Sequence, residues 1–541
     1  MPYVVTRSCC ADASCVLACP VNCIHPAPGE PGFGTAEMLY VDPRTCVDCG
    51  ACTTACPVDA LKPHTALGEA ELPFLELNAR YYEENPHADR TPMYVVPKQR
   101  TLPAGELSVA VVGAGPAGLF AADELLRHPG VRVTVYDRLP TPYGLVRAGV
   151  APDHQDTKQV TELFRAIESQ PGFGYRLGVQ VGTDVTHETL LREHHAVLYA
   201  VGAATGRRLG IEGEDLPGSV CATDFVAWYN GHPDHAQDAY ALDTERAVVV
   251  GNGNVALDVA RILTADPEAL ARTDISDRAL AALRASRVRE VVLLGRRGPA
   301  QAAFTMPELL ALAALQDVDV TVEGWPADLA DDATDKTRLL AELAARAPGE
   351  GRRRIVLRFL TSPLRLVGED AVRALEVTPT VLHTDEDGTV RARPEGAPQT
   401  LESGLVLSSV GYRARPVPGL PFDEDTATVP HERGRVQPGV YVAGWVKRGP
   451  SGFIGTNKTC AQETVESLLD DFTAGRLTGP EPGTEAPVRG LGLDAWRAID
   501  AAERAAGAAQ DRPRVKLTDG AALHGAAAAV DAGQVAAAVR G

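Results

Sequence analysis

Four thiols at a fixed rhythm set the first chemical question. The stretch "CVDCGACTTACP" spaces Cys46, Cys49, Cys52 and Cys56 as C-x2-C-x2-C-x3-C-P. Thiolate sulfur is a soft ligand, and this spacing lets three close sulfurs hold one iron–sulfur cluster while the fourth reaches a neighbouring one. A structural zinc site would instead pair two C-x2-C knuckles across a longer gap. The rhythm stands once before, in "CCADASCVLACP", where Cys9, Asp12, Cys15 and Cys19 carry an acid in the second place. Crossed ligation gives one [4Fe-4S] cluster Cys46, Cys49, Cys52 and Cys19. The other receives Cys9, Cys15 and Cys56, with Asp12 at the missing corner. Three thiolates suit a [3Fe-4S] cluster; a hard carboxylate oxygen from Asp12 would hold a fourth iron only weakly, making the site convertible between [3Fe-4S] and [4Fe-4S]. The competing reading is that Asp12 is a solvated loop residue. Cys10 and Cys23 are spare, and Cys10 is a second candidate for the missing corner. Nine of the eleven cysteines precede residue 60, a density that would mean disulfides in a small secreted domain but here follows a metal-site rhythm.

Two glycine motifs carry the second chemistry. In "VVGAGPAG", Gly113, Gly115 and Gly118 follow a strand pattern and open a helix pattern. The first glycine permits the turn, the second lets backbone approach a pyrophosphate, and the third lets helix and strand pack closely. Asp137 ends the next strand, placed to accept from a ribose hydroxyl. In "VVVGNGNVALDVA", Gly251 and Gly253 repeat the pattern with Ala256 third, but the following strand delivers Arg296 and Arg297. An acid would repel a 2′-phosphate and two guanidiniums would clamp it. The first site therefore suits FAD and the second NADP(H). Packing glycines and a surface arginine pair are the bland alternatives. The long gap from Ala256 to Arg296 demands extra helix near residues 265–286.

The motifs sit between "LSVAVVG", "VRVTVYD", "RAVVVG" and "VREVVLLG", which read as buried strands alternating with helices. The fold class expected is α/β: two doubly wound Rossmann-like nucleotide-binding domains preceded by a small α+β cluster domain. The boundaries expected are 1–62 for the cluster domain, 63–105 for a polar, proline-bearing linker, 106–210 with 411–541 for the FAD-binding domain, and 211–410 for the NADP-binding domain. "RRRIVLRFLTSPLRLVG" and "AVRALEVTPTVLHT" read as a β-rich insert, and "GLVLSSVGYR" and "GVYVAGWV" as strands returning to the first nucleotide domain. Beyond a Pro/Gly-rich stretch come one amphipathic helix, "LDAWRAIDAAERAAG", and an Ala-rich tail whose last twenty or so residues are expected to be poorly ordered.

With 541 residues the chain is too long for a single core. Its net charge of −19, from 52 basic and 71 acidic residues, speaks against nucleic acid as a partner. No apolar run approaches a bilayer span and the first residues lack a secretory h-region, so no membrane partner and a cytoplasmic location are expected.

The stretch "PTPYGLVRAGVAPDHQDTK" cannot be decoded from spacing. It resembles the signature that follows the FAD motif in adrenodoxin reductase-type ferredoxin–NADP+ reductases, a likeness continued by "GNGNVALDVARIL", "RRGPAQAAFTMPEL" and "GWVKRGPSGFIGTNK". The amino-terminal sixty residues resemble seven-iron ferredoxins, and the whole resembles actinobacterial fusions of the two. The resemblance implies FAD contacts at Ala117, Asp137, Leu145, Val181, Trp445, Gly452, Phe453 and Ile454. It implies NADP contacts at Arg207, Asn254, Val255, Arg296, Arg297 and Glu308. His154, in "APDH", matches a histidine beside the flavin that shapes hydride transfer, and Glu308 is the second catalytic candidate; a structural histidine and a helix-face acid are their plain alternatives. Ala311 stands where the family often has a second acid, and Phe453 where it often has a smaller residue.

The activity expected is ferredoxin–NADP+ reductase: a hydride from NADPH to FAD, then single electrons to the attached clusters, a separate ferredoxin or a downstream acceptor such as a P450 system. The flavin subunit of a larger complex, as in glutamate synthase, and a non-catalytic electron carrier are the alternatives. Thioredoxin reductase-like chemistry is excluded because the body has no C-x-x-C, only the isolated Cys221 and Cys460.

Overall fold

The computed structural model describes residues 2–93, 102–103, 106–325, 334–347, 349, 351–386, 388–481 and 490–528. Two six-stranded sheets organise the body. In the first, the strands run in the order Arg435–Gln437, Val440–Val442, Ala196–Tyr199, Leu107–Val112, Val131–Asp137, Phe173–Leu177. All its pairings are parallel except that of the first two strands. In the second, the order is Ser219–Cys221, Leu405–Ser408, Arg246–Val250, Glu290–Leu294, Arg353–Arg358, Val318–Glu323, parallel throughout. Strands such as "VAVV" and "AVVV" are apolar without alternation because crossover helices cover both faces; Val109, Ala110 and Val111 are all fully buried. Each glycine motif leaves a central strand at the point where strand order reverses, and there the carboxyl ends of the strands open a crevice for a ligand.

Two strand readings are corrected. Leu405–Ser408, from "GLVLSSVGYR", does not return to the first sheet; it pairs with Arg246–Val250 and Ser219–Cys221 in the second. Only Val440–Val442 returns, beside Ala196–Tyr199. Likewise Arg353–Arg358 is a strand of the second parallel sheet, and the antiparallel insert comprises only Thr361–Val367, Ala374–Thr384, Val390–Pro394 and Gln399–Glu402. A short apolar run declares that it is buried, but not which sheet buries it. The extra helix required between Ala256 and Arg296 is present as Pro267–Leu270 and Asp277–Arg284.

The cluster unit is built from two small antiparallel pairs, Tyr3–Val5 with Leu61–Pro63 and Ile24–His25 with Tyr40–Val41, and two short helices, Ser14–Ala18 and Ala51–Ala55. The stretch read as a linker holds a helix, Pro73–Glu84, whose Phe74, Asn78 and Tyr82 are buried at i, i+4 and i+8. Asn78 Oδ1 accepts from the N–H groups of Val5 (3.2 Å) and Val41 (2.9 Å), and so ties the two strand pairs together. Tyr82 donates to the carbonyls of Cys23 (2.9 Å) and Tyr40 (2.8 Å). The polar composition of this stretch masked its three-residue inner stripe. Of the linker, residues 94–101 and 104–105 lie outside the described residues.

The amphipathic helix Leu493–Ala508 buries Trp496 and Ile499 in the core of the first sheet. Residues 520–528 of the tail are helical and bury Leu523 in the same core, so that part is not the loose end expected; 529–541 lie outside the described residues. Among the described residues no helix is long and apolar enough to cross a membrane.

Candidate functional site

The first glycine loop is closed by backbone that leaves no room for a side chain. Gly113 has φ +110°, and a Cβ there would stand 2.4 Å from the Ala200 carbonyl oxygen; one at Gly118 would stand 1.9 Å from the Gly113 carbonyl oxygen. Gly115 precedes the helix Pro116–Leu126, whose first-turn N–H groups have no partner within the helix, as an anion-binding end requires. Asp137 ties this loop to the next strand: its carboxylate accepts from Ala114 N–H (2.7 Å) and Leu139 N–H (2.9 Å), which leaves lone pairs for a further donor. Burial raises the Asp137 carboxyl above its ordinary value, against these two donors.

Two segments remote in sequence close on this loop. Gly144, before Leu145, would with a Cβ meet Gly115 Cα at 3.1 Å, and Gly444, before Trp445, would meet Ala117 Cβ at 2.7 Å. Both have positive φ, a conformation glycine adopts without strain. Ala117, Leu145 and Trp445 thus surround one crevice, and Val181 packs in the same side cluster as Trp445. Leu145 and Val201 are 38 % exposed, apolar surface that a flat ring would cover. Trp445 Nε1–H donates to the Ser451 carbonyl (3.2 Å), which fixes the turn that ends at Gly452 (φ +79°). Phe453 caps and Ile454 begins the long helix Ile454–Thr473. These residues make a fit for FAD; sequence reasoning missed Gly144 and Gly444, whose signal was a glycine directly before each matched residue.

The second loop repeats the plan. Gly251 (φ +128°) would with a Cβ meet the Ser409 carbonyl oxygen at 2.1 Å, while Gly253 has open space before it. Asn254 starts the helix Asn254–Thr264, and its Oδ1 accepts from Thr305 N–H (2.9 Å), so Asn254 braces the loop rather than facing freely outward; Val255, next to it, is half-buried. Arg296 is exposed and Arg297 half-buried just past the strand Glu290–Leu294, and no described carboxylate pairs with either. Arg207 is exposed directly after the strand Thr205–Gly206, which pairs with Tyr412–Arg413, and likewise has no described ion pair. Unpaired guanidiniums beside a glycine loop fit a nucleotide phosphate.

His154 and Glu308 come together, but inside a charge cluster the sequence did not announce. Arg261 donates from Nε to Asp153 Oδ2 (2.9 Å), from Nη2 to Asp258 Oδ1 (2.8 Å) and from Nη1 to Glu308 Oε2 (3.1 Å). Arg7, from the cluster unit, reaches Glu308 Oε2 at 2.7 Å and, like Arg261, lies against His154 Nε2. His154 Nε2 is also 3.4 Å from Asp258 Oδ1. Burial acts to raise the Asp153 and Asp258 carboxyls, but the Arg261 guanidinium overrides it and holds both below the ordinary range. Ala311 does not break the network, because Asp153 and Asp258 supply the acids. Asp258 and Arg261, three apart in "NVALDVAR", were the legible half of this cluster.

In the cluster unit the thiols group as crossed ligation requires. Cys19 from the first run lines one cavity with Cys46, Cys49 and Cys52 from the second, and no cationic side chain lines it. Cys23 lies there too, with its sulfur 3.4 Å from that of Cys19. Its hydrogen bond pulls both the Cys19 and the Cys46 thiols down to about 6. On the other side, burial pushes the Cys9 thiol up to about 11 and raises those of Cys15 and Cys56. Converging sulfurs, several of them buried, fit a metal cluster that brings its own positive charge. The two runs also share backbone shape: Ala11 and Ala13 have positive φ, as Asp48 and Gly50 do at the matching places. Asp12 therefore stands where Cys49 stands in the other loop. Its carboxylate takes hydrogen bonds from Ser14 and lies 3.5 Å from Lys458 Nζ.

Comparison with known proteins meets this geometry. Residues 107–294 match the family "Pyridine nucleotide-disulphide oxidoreductase", and residues 39–62 match "4Fe-4S binding domain". A "Probable ferredoxin/ferredoxin--NADP reductase" of Mycobacterium tuberculosis is 51% identical over 97% of this chain and 95% of its own. The chain belongs to the ferredoxin–NADP reductase family. This reductase is also 42% identical to the human mitochondrial "NADPH:adrenodoxin oxidoreductase", over 76% of this chain and 90% of that one. The solved structure "Mycobacterium tuberculosis FprA in complex with NADPH" superposes with a TM-score of 0.75 at 44% identity, covering 78% of this chain and 99% of that one. This chain is an oxidoreductase with an N-terminal 4Fe-4S binding domain on an α/β nucleotide-binding body.

Proposed function

We propose that this reductase carries electrons from NADPH through FAD to the iron–sulfur clusters of its own N-terminal unit and on to a ferredoxin or another one-electron acceptor. The observation that carries this reading is the packing of the two halves as one body: Cys9 and Cys56 lie against the same hydrophobic core as the first glycine loop. Bound in its cradle, FAD supplies the one chemistry that joins a two-electron hydride donor to one-electron clusters.

The chain's own work is placement. Gly113, Gly115 and Gly118 admit a pyrophosphate, Asp137 accepts from the ribose, and Ala117, Leu145, Val181, Trp445, Gly452, Phe453 and Ile454 seat the ring and its chain. Gly251, Gly253, Asn254 and Val255 shape the second loop, while Arg207, Arg296 and Arg297 hold the phosphates of NADP(H). His154 and Glu308, locked by Arg7 and Arg261, present a fixed polar face to the hydride transfer. Cys19, Cys46, Cys49 and Cys52 hold a [4Fe-4S] cluster. Cys9, Cys15 and Cys56 hold a second, of the [3Fe-4S] or convertible kind, with Asp12 at its open corner. We divide the chain into a cluster domain with its helical strap, an FAD-binding domain closed by the C-terminal helices, and an NADP-binding domain between them, and place the protein in the cytoplasm.

Anaerobic addition of NADPH, followed by visible absorbance and low-temperature EPR, tests the reading. The yellow absorbance should bleach and reduced-cluster signals should follow, with NADH far slower. A flavin that NADPH leaves oxidised would sink it.

A further inference from the structure

The cluster unit meets the reductase body in several places, through Arg7 on Glu308 and Glu37 on Lys336 among them, and the contact nearest the first nucleotide crevice lies at the corner with three thiols. Gly455, in the first turn of Ile454–Thr473, donates its N–H to the Cys10 carbonyl at 2.8 Å. A Cβ at Gly455 would stand 2.1 Å from the Ala11 carbonyl oxygen and 2.4 Å from Asp12 N. Backbone therefore touches backbone here, between the loop holding Asp12 and the segment that follows Gly452, Phe453 and Ile454. Lys458, one turn on, reaches the Asp12 carbonyl (3.3 Å), its carboxylate (3.5 Å) and Ser14 Oγ (3.3 Å). Cys10, Val58 and Ala60 are buried in the core of the first sheet, and Cys9, Cys56 and Ile454 pack against it together. The other thiol set points away. Cys49 is exposed and its neighbour Val47 is 59 % exposed, and of the two sets only Cys9 and Cys56 pack against the core of the first sheet.

We infer that electrons enter the cluster unit at the Cys9/Cys15/Cys56 corner and leave it at the Cys19/Cys46/Cys49/Cys52 corner, with Lys458 as the positioning residue that holds the first corner on the reductase. The inference rests on the function proposed above and adds a direction to it. The balance is simple: one NADPH gives a hydride and becomes NADP+, the two electrons cross the three-thiol corner singly, and two one-electron acceptors are reduced at the four-thiol corner. The proton that accompanied the hydride is released to solvent. Lys458 also occupies the Asp12 carboxylate, so the acid at the open corner is engaged by a cation of the reductase as well as by Ser14.

The test uses the full-length holoprotein, rapidly mixed with NADPH without oxygen and frozen for EPR at successive times. The three-thiol signal should change before the four-thiol signal. In Cys15→Ser, NADPH should still bleach the flavin while the four-thiol signal fails to appear. In Cys49→Ser, the three-thiol signal should still change, and reduction of an added one-electron acceptor, cytochrome c, should be lost. Because ligand variants can fail to assemble, Lys458→Glu provides a second arm: the delay between flavin bleaching and the first cluster signal should lengthen, and Lys458→Arg should restore it. A four-thiol signal that appears first, or at its normal rate in Cys15→Ser, overturns the route; an unchanged delay in Lys458→Glu overturns the role of Lys458. Failure of NADPH to bleach the flavin in the unaltered protein would instead strike the function on which the route rests.

Discussion

Arg7 and Glu308, 301 positions apart, form a two-point ion pair, with Nη2 to Oε2 at 2.7 Å and Nε to Oε1 at 3.3 Å. Arg261 donates to the same Oε2 from the other side at 3.1 Å. One carboxylate thus joins the cluster unit to the helix that opens at the second glycine loop.

The two arginines should behave differently when removed. Arg7→Ala leaves Glu308 its second partner, so a loss of about 1.5–3 kcal/mol is expected, the worth of hydrogen bonds to a charged group. Arg261→Ala removes the buried guanidinium that Asp153, Asp258 and Glu308 share, leaving Glu308 only Arg7, and should cost about 3–5 kcal/mol or prevent folding. Urea denaturation of the two variants checks the ranking; equal losses would contradict it.

Acid should unfold the protein through its paired buried carboxylates. Burial alone would raise Asp274, but Lys158 Nζ at 2.7 Å and Lys516 Nζ at 2.9 Å hold it below the ordinary range. Glu503, buried, is lowered by Arg147 in the same way. A folded-state value below the unfolded one, about 3.9 for Asp, means the stabilisation is complete above that pH and disappears as pH falls through the folded value. The melting temperature should therefore hold between about pH 7 and pH 5 and drop below about pH 4. Asp274→Asn should flatten the drop while lowering stability at neutral pH, since two buried lysines lose their counterion.

Choice of nicotinamide cofactor should rest on Arg296 and Arg297. Replacing either with Gln removes charge-assisted bonds to a 2′-phosphate, worth about 1.5–3 kcal/mol. That is roughly a ten- to hundredfold rise in the KM for NADPH, with NADH nearly unaffected. Steady-state dye reduction with each cofactor reads the split, and a parallel loss with both would refute the assignment.

The first glycine loop should not tolerate a methyl group. Gly118→Ala would press a Cβ to 1.9 Å from the Gly113 carbonyl oxygen, where overpacking costs about 1–3 kcal/mol and moves the helix start. Purified variant should carry little flavin by absorbance. Gly253→Ala, whose Cβ would meet open space, should keep its flavin.

Much of this protein was legible in one dimension because its chemistry is local. The cysteine rhythm, the two glycine loops and the acid or arginine that ends the next strand are spacings of a few residues, and such spacings survive any tertiary arrangement. Other features are contacts across hundreds of residues. Nothing in "GLVLSSVG" says which of two parallel sheets will accept it, since both offer the same buried, apolar edge. Arg7 beside Cys9 looks like a surface charge until folding brings Glu308 and His154 to it. Gly455 looks like one more flexible position until the loop of Ala11 lies on it. The sequence by itself determined which groups the chain can hold, through side-chain type and interval. Only the tertiary structure decided which cluster corner faces the reductase body, because that depends on two backbones approaching more closely than any side chain allows.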